Sequence, residues 1–464
     1  MLAADPLVSA AYSGAWPLGK LTAQDLLALQ TLNTSRYPVL LESAAASRLG
    51  RNHDILMAFP GERLSLHAEQ GLAVPPSLRS SPSSTFLSTL DQWWQQLRVA
   101  EQPHRLPFNG GWFLYLGYEL AAQIEPGLKG MQPEGLTAQA VRMPAAIVRC
   151  SDTGESWFVT EPEAEACLPL LQADLTKLHT AVSEADNFPA LEIYEEAAHI
   201  FVEAVETALQ HIAAGDIYQA NLSRGWQAQL QSRSSPQAIY RALRAANPAP
   251  FAGLALLDDA HAIISSSPER LIELCGGWAS TRPIAGTRPR HADPLADQAL
   301  VNELQAHPKE RAEHIMLLDL ERNDLGRICM GGSVEVNEYM SIESYAHVHH
   351  IVSNVRGRLR ESVTPGEVIA AVFPGGTITG CPKVRCMEII AELEHTARGA
   401  YTGSIGYLNR DGSMDLNILI RTLELQGNKL QFRAGAGIVA DSLPERELAE
   451  TRAKALGLLR ALQS

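Results

Sequence analysis

The apolar positions of this chain fall into two periods. Over 200–212, Ile200, Phe201, Val205, Ala208, Leu209 and Ile212 recur on one face at helical spacing, and Gly215 follows as a left-handed cap. Period-two or continuous apolar runs predict strands at IYQANLSRGWQAQL (217–230), AHAIISSS (260–267), SVEVNEYM (333–340), VHHIVSNVRG (348–357), GSIGYLN (403–409), NILIRTLELQ (417–426) and LQFRAGAGIVA (430–440). Helices are expected at 297–319, 364–373, 383–394 and 444–462. Earlier in the chain, PVLLESAAASRLGRNHDILMAF reads as strand, loop, strand. A Pro/Ser cluster then precedes a helix ending at Gln102, and GWFLYLGYEL opens a strand. The acidic stretch 161–189 has helix-forming composition. Many strands and several helices without regular βαβ alternation predict an α+β fold with largely antiparallel sheets.

Composition narrows the function classes. With 464 residues, 46% of them apolar, the chain can build a large core. A net charge of −14 argues against nucleic acid, which needs clustered Lys and Arg, but leaves room for a small anionic substrate at a local positive site. No run approaches the ~20 apolar residues of a membrane helix, and the start has no basic region ahead of an apolar one. The six cysteines are scattered without a CxxC pair, so a reduced, cytoplasmic protein with free thiols is expected. A seam at 185–192 divides the chain into an N-terminal region, 1–190, and a C-terminal catalytic region, 191–464.

The candidate chemistry lies in the second region. Glu310 and Glu313 are three apart on one expected helix, and Glu447 and Glu450 on another, so each pair shares a face. Two such pairs facing each other would suit Mg2+; each alone reads as solvated decoration. FPGGTITGCPK (373–383) is a Gly/Thr loop running into a helix, where backbone N–H groups bind anions. No Ser or Thr follows Lys383, so it is not a nucleotide P-loop. Gly435-Ala436-Gly437 reads equally as a carboxylate contact or a tight turn. In HVHH, alternation sends His347 and His349 to one face and His350 to the other; HxHH alone is a weak zinc motif.

Together these segments carry a resemblance. SSSPERL (265–271), RPIAGTRPR (282–290), ERAEHIMLLDLERNDLGRI (310–328), HHIVS (349–353), GGTITGCPKVRCMEII (375–390), GSIGY (403–407), IRT (420–422), AGAGIVADS (434–442) and ELAETRAKA (447–455) resemble, in order, the chorismate-utilising enzymes. YPVLLESA (37–44) and GGWFLYLGYEL (110–120) extend the match into the first region. The resemblance implies a sandwich of large antiparallel sheets with outer helices and a central cleft. It implies Glu313 and Glu450 as Mg2+ ligands, with Glu310 and Glu447 assisting. Arg421, Tyr401, Lys454 and the 435–437 backbone, Ala436 included, would cradle substrate carboxylate, with Ala285, Gly286 and Thr287 also lining the substrate. Glu269 would be the general acid for the leaving C4 hydroxyl, His350 would flank the ring, and Thr377 lies in the matching loop.

Gln219 separates the branches. Isochorismate and salicylate synthases resemble each other in a Lys there that activates water; a neutral amide cannot be that base, so the nucleophile is expected to be ammonia. YQxNL (218–222), NPAPFAGL (247–254) and FPGGTITG (373–380) resemble aminodeoxychorismate synthases, where anthranilate synthases more often read QVVLS, NPSPYM and MGTxSG. The expectation is Mg2+-dependent conversion of chorismate to 4-amino-4-deoxychorismate, toward para-aminobenzoate and folate. Against it, Ala285 stands where many aminodeoxychorismate synthases carry a covalent Lys. Ammonia or water must then act at C2, or C4 is attacked directly. The alternatives are an anthranilate synthase large subunit and a non-catalytic tryptophan-binding scaffold. No amidotransferase domain follows the last helix, so a separate glutamine amidotransferase subunit is expected to supply ammonia. Leu40, Leu41, Glu42 and Ser43, with Asn247, Pro248, Pro250 and Phe251, match the family's tryptophan pocket.

Overall fold

The computed structural model describes residues 14–44, 52–79, 84–100, 106–178, 191–230, 235–345 and 348–463, apart from the Lys309 side chain. His347 and residue 102, the expected end of a helix, lie outside them. Within them the chain forms two antiparallel sheets of twelve and eleven strands, with helices outside. The larger sheet runs Ala15–Lys20, Glu155–Thr160, Ala145–Cys150, His53–Ala58, Val39–Glu42, Phe251–Leu256, His261–Ser267, Thr422–Gln426, Lys429–Ile438, Gln219–Gln229, Ile193–Glu195, and Gly380–Cys381 joins it beside Gln219. The smaller runs from Ile284–Pro289 and Val348–Arg358, through Trp278–Thr281 and Arg270–Cys275, to Gly111–Leu116 and Leu136–Met143. Both sheets draw strands from either side of residue 190, so that seam divides the chain and not the layers.

Alternation assigns the faces. Along Lys429–Ile438, Leu430, Phe432, Ala434, Ala436 and Ile438 are buried, while Gln431, Arg433, Gly435 and Gly437 point the other way. Phe432 stacks on Trp226 at 5.3 Å beneath the Pro444–Gln463 and Pro236–Ala246 helices. Truncating it to Ala would cost ~3–5 kcal/mol. Between the sheets, Val39, Ile55 and Ile263 meet Phe113, Tyr115 and Ile405 in a separate apolar cluster.

Three expectations change. The 297–319 helix is two, Pro294–Ala306 and Pro308–Gly326, because Pro308 has no N–H to continue the first and is suited to open the second. In NILIRTLELQ the strands are Met414–Asn417 and Thr422–Gln426; Ile418–Arg421 between them is irregular, and Arg421 has φ +52°. The 110–120 strand covers Gly111–Leu116 and then becomes a 3-10 turn. The 200–212 helix runs Ala198–Ala214 and ends on Gly215 at φ +81°, as its cap predicts.

Candidate active site

The site is built at the end of the Gln219–Gln229 and Lys429–Ile438 pairing. Asn221 lies opposite Gly437 and Ser223 opposite Gly435, so the backbone here is extended and not a turn. The two glycines serve close approach. A Cβ on Gly437 would sit 2.5 Å from Gln219 Nε2, and one on Gly435 would sit 2.7 Å from both Asn221 Oδ1 and Tyr401 Oη. Gln219 Oε1 and Asn221 Oδ1 are buried without a hydrogen-bond partner among the described residues. Asn221 was not singled out in the sequence, although strand alternation places it on Gln219's face. Ala436, between the glycines, points into the opposite, apolar cluster.

Lys454, from the Pro444–Gln463 helix, donates to the Gly435 carbonyl at 3.0 Å. Burial pushes the Tyr401 phenol up to about 12, so it stays a hydroxyl donor. Arg421 is partly buried, and its guanidinium has no hydrogen-bond partner among the described residues. Burial draws it below its usual value, opposed by the Glu269 charge. Its left-handed backbone is unusual for a non-glycine residue, and such strain concentrates where geometry serves a site. Arg421 and Lys454 both act on Glu269 through their charges.

Glu269 follows the His261–Ser267 strand and is buried. Its Oε1 accepts a hydrogen bond from Thr377 Oγ1 at 2.8 Å. Burial pushes its carboxyl up to about 7, while the Thr377 hydrogen bond and the Lys454 and Arg421 charges pull it down. A proton is therefore available to give near neutral pH. His350, on Val348–Arg358, meets Thr287 Oγ1 at 3.0 Å through Nδ1, and its Nε2 has no partner. Burial, with help from the Arg421, His349 and Lys454 charges, lowers it to about 3, so the ring is neutral. His349 points away, to Asp297 at 2.9 Å and Ser344 at 2.7 Å. Ala285, Gly286 and Thr287 share the neighbouring strand, with a bulge between Ala285 and Thr287. A Cβ on Gly286 would strike Glu310 Oε2 at 2.8 Å.

Gly380 pairs with Ala220 in the sheet, Thr379 Oγ1 turns to the Gly375 carbonyl, and Thr377 goes to Glu269.

The four expected metal carboxylates keep their pairwise spacing and stand on two helices that cover different sheets. Glu310 and Glu313 stand on Pro308–Gly326, which packs on the smaller sheet; Glu447 and Glu450 stand on Pro444–Gln463, which packs on the larger. Arg288 binds Glu310 at 3.1 Å and Lys454 binds Glu450 at 2.8 Å. Glu313 and Glu447 are also engaged. Among the described residues no three His, Cys, Asp or Glu side chains gather closely enough to hold a metal ion. Mg2+ takes only one or two protein carboxylates beside water and substrate oxygens, and Glu313 and Glu450, one from each helix, are the pair that would supply them.

Leu41, Glu42, Ser43, Pro250 and Phe251 line a separate cavity of about 110 Å3, together with Arg270, Asp415 and Asn417. Arg270 binds Asp415 through two 2.9 Å contacts and lies over the Phe251 ring. The buried Glu42 carboxylate accepts hydrogen bonds from Tyr240 and Arg244. Leu40 packs in the helix-covered core, and Asn247 donates to Ser266 Oγ at 2.9 Å; neither lines the cavity, nor does Pro248. No disulfide joins the six cysteines, and among the described residues no helix is long and apolar enough to cross a membrane.

The comparisons with known proteins agree on one group. Residues 50–460 match the model for the chorismate binding enzymes. The chain is 43% identical over 395 residues to aminodeoxychorismate synthase component 1 of Bacillus subtilis, covering 81% of this chain and 82% of that one. It is 47% identical over 378 residues to anthranilate synthase component 1 of Aquifex aeolicus, covering 77% and 76%. The crystal structure of anthranilate synthase component I from Streptococcus pneumoniae superimposes with a TM-score of 0.74 at 30% identity, covering 89% and 93%. With relatives of both kinds at similar identity, the shared statement is the one the comparisons carry: this chain belongs to the chorismate binding enzyme family.

Proposed function

We propose that the chain aminates chorismate with ammonia to give 4-amino-4-deoxychorismate. The observation that carries this reading is Glu269: a buried carboxyl pushed up to about 7, held by Thr377 and close enough to Arg421 and Lys454 to feel their charges. Hydroxide is a poor leaving group, and a carboxylic acid of that strength supplies the proton that turns it into water. Arg421, Tyr401 and Lys454 hold the substrate carboxylates, and neutral His350 lies against the ring without adding charge. The Gln219 amide cannot deprotonate water, so the nucleophile must attack without help from a base, as neutral ammonia does. Overall the C4–O bond breaks, a C–N bond forms, and the proton shed by the new ammonium nitrogen restores Glu269.

Ala285 favours a second reading. Its methyl group forms no adduct with the ring, which suits an anthranilate synthase large subunit, whose reaction also begins with acid-assisted loss of the hydroxyl. A separate glutamine amidotransferase subunit as ammonia source, and tryptophan in the Leu41–Phe251 cavity, belong to the proposal. Magnesium stands in it on the resemblance alone. Mass spectrometry of products from chorismate, Mg2+ and ammonium tests the choice. Aminodeoxychorismate is expected; anthranilate would decide for the second reading, and a product of water addition would sink both. Turnover with glutamine by the purified single chain would remove the partner subunit.

A further inference from the structure

Lys383 is the residue of the Gly/Thr loop that the reaction leaves unused. It opens the Lys383–Glu394 helix, where a positive charge faces the positive end of the helix dipole. Something specific must hold it there. Its Nζ donates to Asp324 Oδ2 at 2.7 Å and to the Val372 carbonyl at 3.4 Å. Asp324 belongs to Pro308–Gly326, and Val372 ends Pro365–Val372, where helical carbonyls lack intrahelical partners. One ammonium thus ties three helices together at both ends of the 373–382 segment. That segment also lies directly on the Pro308–Gly326 helix, since a Cβ on Gly376 would sit 3.2 Å from Leu320 Cβ. Midway along it is Thr377, the hydrogen-bond donor to Glu269.

We propose that Lys383 is a positioning residue for Glu269: by bridging Asp324 and the Val372 carbonyl it fixes the loop so that Thr377 reaches the acid. The inference rests on Glu269 being the acid of the proposed reaction. Lys383 acts through Thr377 and touches no substrate-binding group, so it governs the chemical step and not binding. The charged groups around the acid are Lys454, Arg421 and, on the Pro308–Gly326 helix, Glu321. Burial, with Asp324 beside it, pushes Glu321 up to about 8, so it adds little charge at neutral pH.

The test is steady-state kinetics of the full chain with chorismate and ammonium. Lys383→Met alone would leave Asp324 buried beside no cation, so the paired variant Lys383→Met/Asp324→Asn removes both charges together. It is expected to lower kcat about 10- to 100-fold, the scale of a small misplacement, with KM for chorismate within about 2-fold. Adding Thr377→Val to it should cost no more than about 2-fold beyond Thr377→Val alone, because both changes break one chain of contacts. Wild-type kcat in the paired variant, a loss confined to KM, or a triple variant whose loss is the product of the two would overturn the inference. Glu269→Gln, run in parallel, separates the layers. If it keeps wild-type turnover, the acid assignment itself fails; if it is inactive while the losses multiply, only the role of Lys383 fails.

Discussion

Glu269 and Glu394 are both buried carboxyl groups reached through the 375–401 segment, and they are driven in opposite directions. Burial pushes Glu269 up to about 7, because among the described residues a threonine hydroxyl is the one hydrogen-bond donor to its carboxyl and its cations act from a distance. Burial acts on Glu394 as well, yet Arg398, Arg433 and the Ser223 backbone hold it below the usual carboxylate range. Arg398 grips both its oxygens, at 2.6 and 3.0 Å, and also reaches the Asn221 and Ile378 carbonyls. The Arg398–Glu394 pair therefore joins the substrate strand to the loop of Thr377. What decides the fate of a buried acid is the number of donors in contact, not the depth of burial. One is built to keep its charge and hold structure, the other to exchange a proton.

Removing the structural acid should show the largest effect. Glu394→Ala leaves buried Arg398 and half-buried Arg433 without their counter-ion and should cost about 3–5 kcal/mol in urea unfolding. A loss below about 1 kcal/mol would show that the two acids are not different in kind. Glu269→Gln should do the reverse: turnover falls at least about 100-fold while stability is kept. The sign of its pH dependence follows from the raised value. Below pH ~4 Glu269 is protonated in both folded and unfolded chains, and the variant is no more stable than the wild type. As pH rises past the unfolded value toward about 7, ionisation favours the unfolded chain. At pH 8 the variant should therefore be more stable by up to about 3 kcal/mol. Equal stability of the two at pH 8 would mean that Glu269 is not held in its protonated form.

The sequence made the strands legible where alternation was long. The Lys429–Ile438 strand and the Gly215 cap follow from periodicity and one left-handed residue. The ExxE pairs do share helix faces, but spacing within a helix says nothing about which helices meet, and these pack on different sheets. Pro308 inside an otherwise helical pattern was the visible signal of a break, overridden by the apolar period around it. Arg421 has no such signal: its left-handed backbone is imposed by the irregular link between two strands. Glu394 was indistinguishable from any polar residue at a helix end. Arg398 is four positions on, as an ordinary surface pair would be, while Arg433, in the larger sheet, is thirty-nine away. Asn221 could have been read from its strand parity with Gln219; its closeness to Gly435 needed the register of a strand more than two hundred residues later.

The finest test of the comparison changes one hydrogen bond. If Glu269 must be protonated to act, kcat/KM in the wild type falls as pH rises through about 7. The Thr377 hydroxyl favours the ionised form, because its hydrogen bond is stronger to a carboxylate than to a carboxylic acid. Thr377→Val removes that donor and keeps the shape, so the alkaline limb should move to higher pH even as the plateau falls. Lys454→Met should move it the same way by removing a cation, but it also weakens chorismate binding, which Thr377→Val should not. Glu394 sets the contrast: deprived of any single donor, it still has an arginine in contact and keeps its charge through the same pH range. An alkaline limb that stays in place in Thr377→Val would mean that the threonine orients the acid without tuning it, and that distance from cations alone sets Glu269 apart from Glu394.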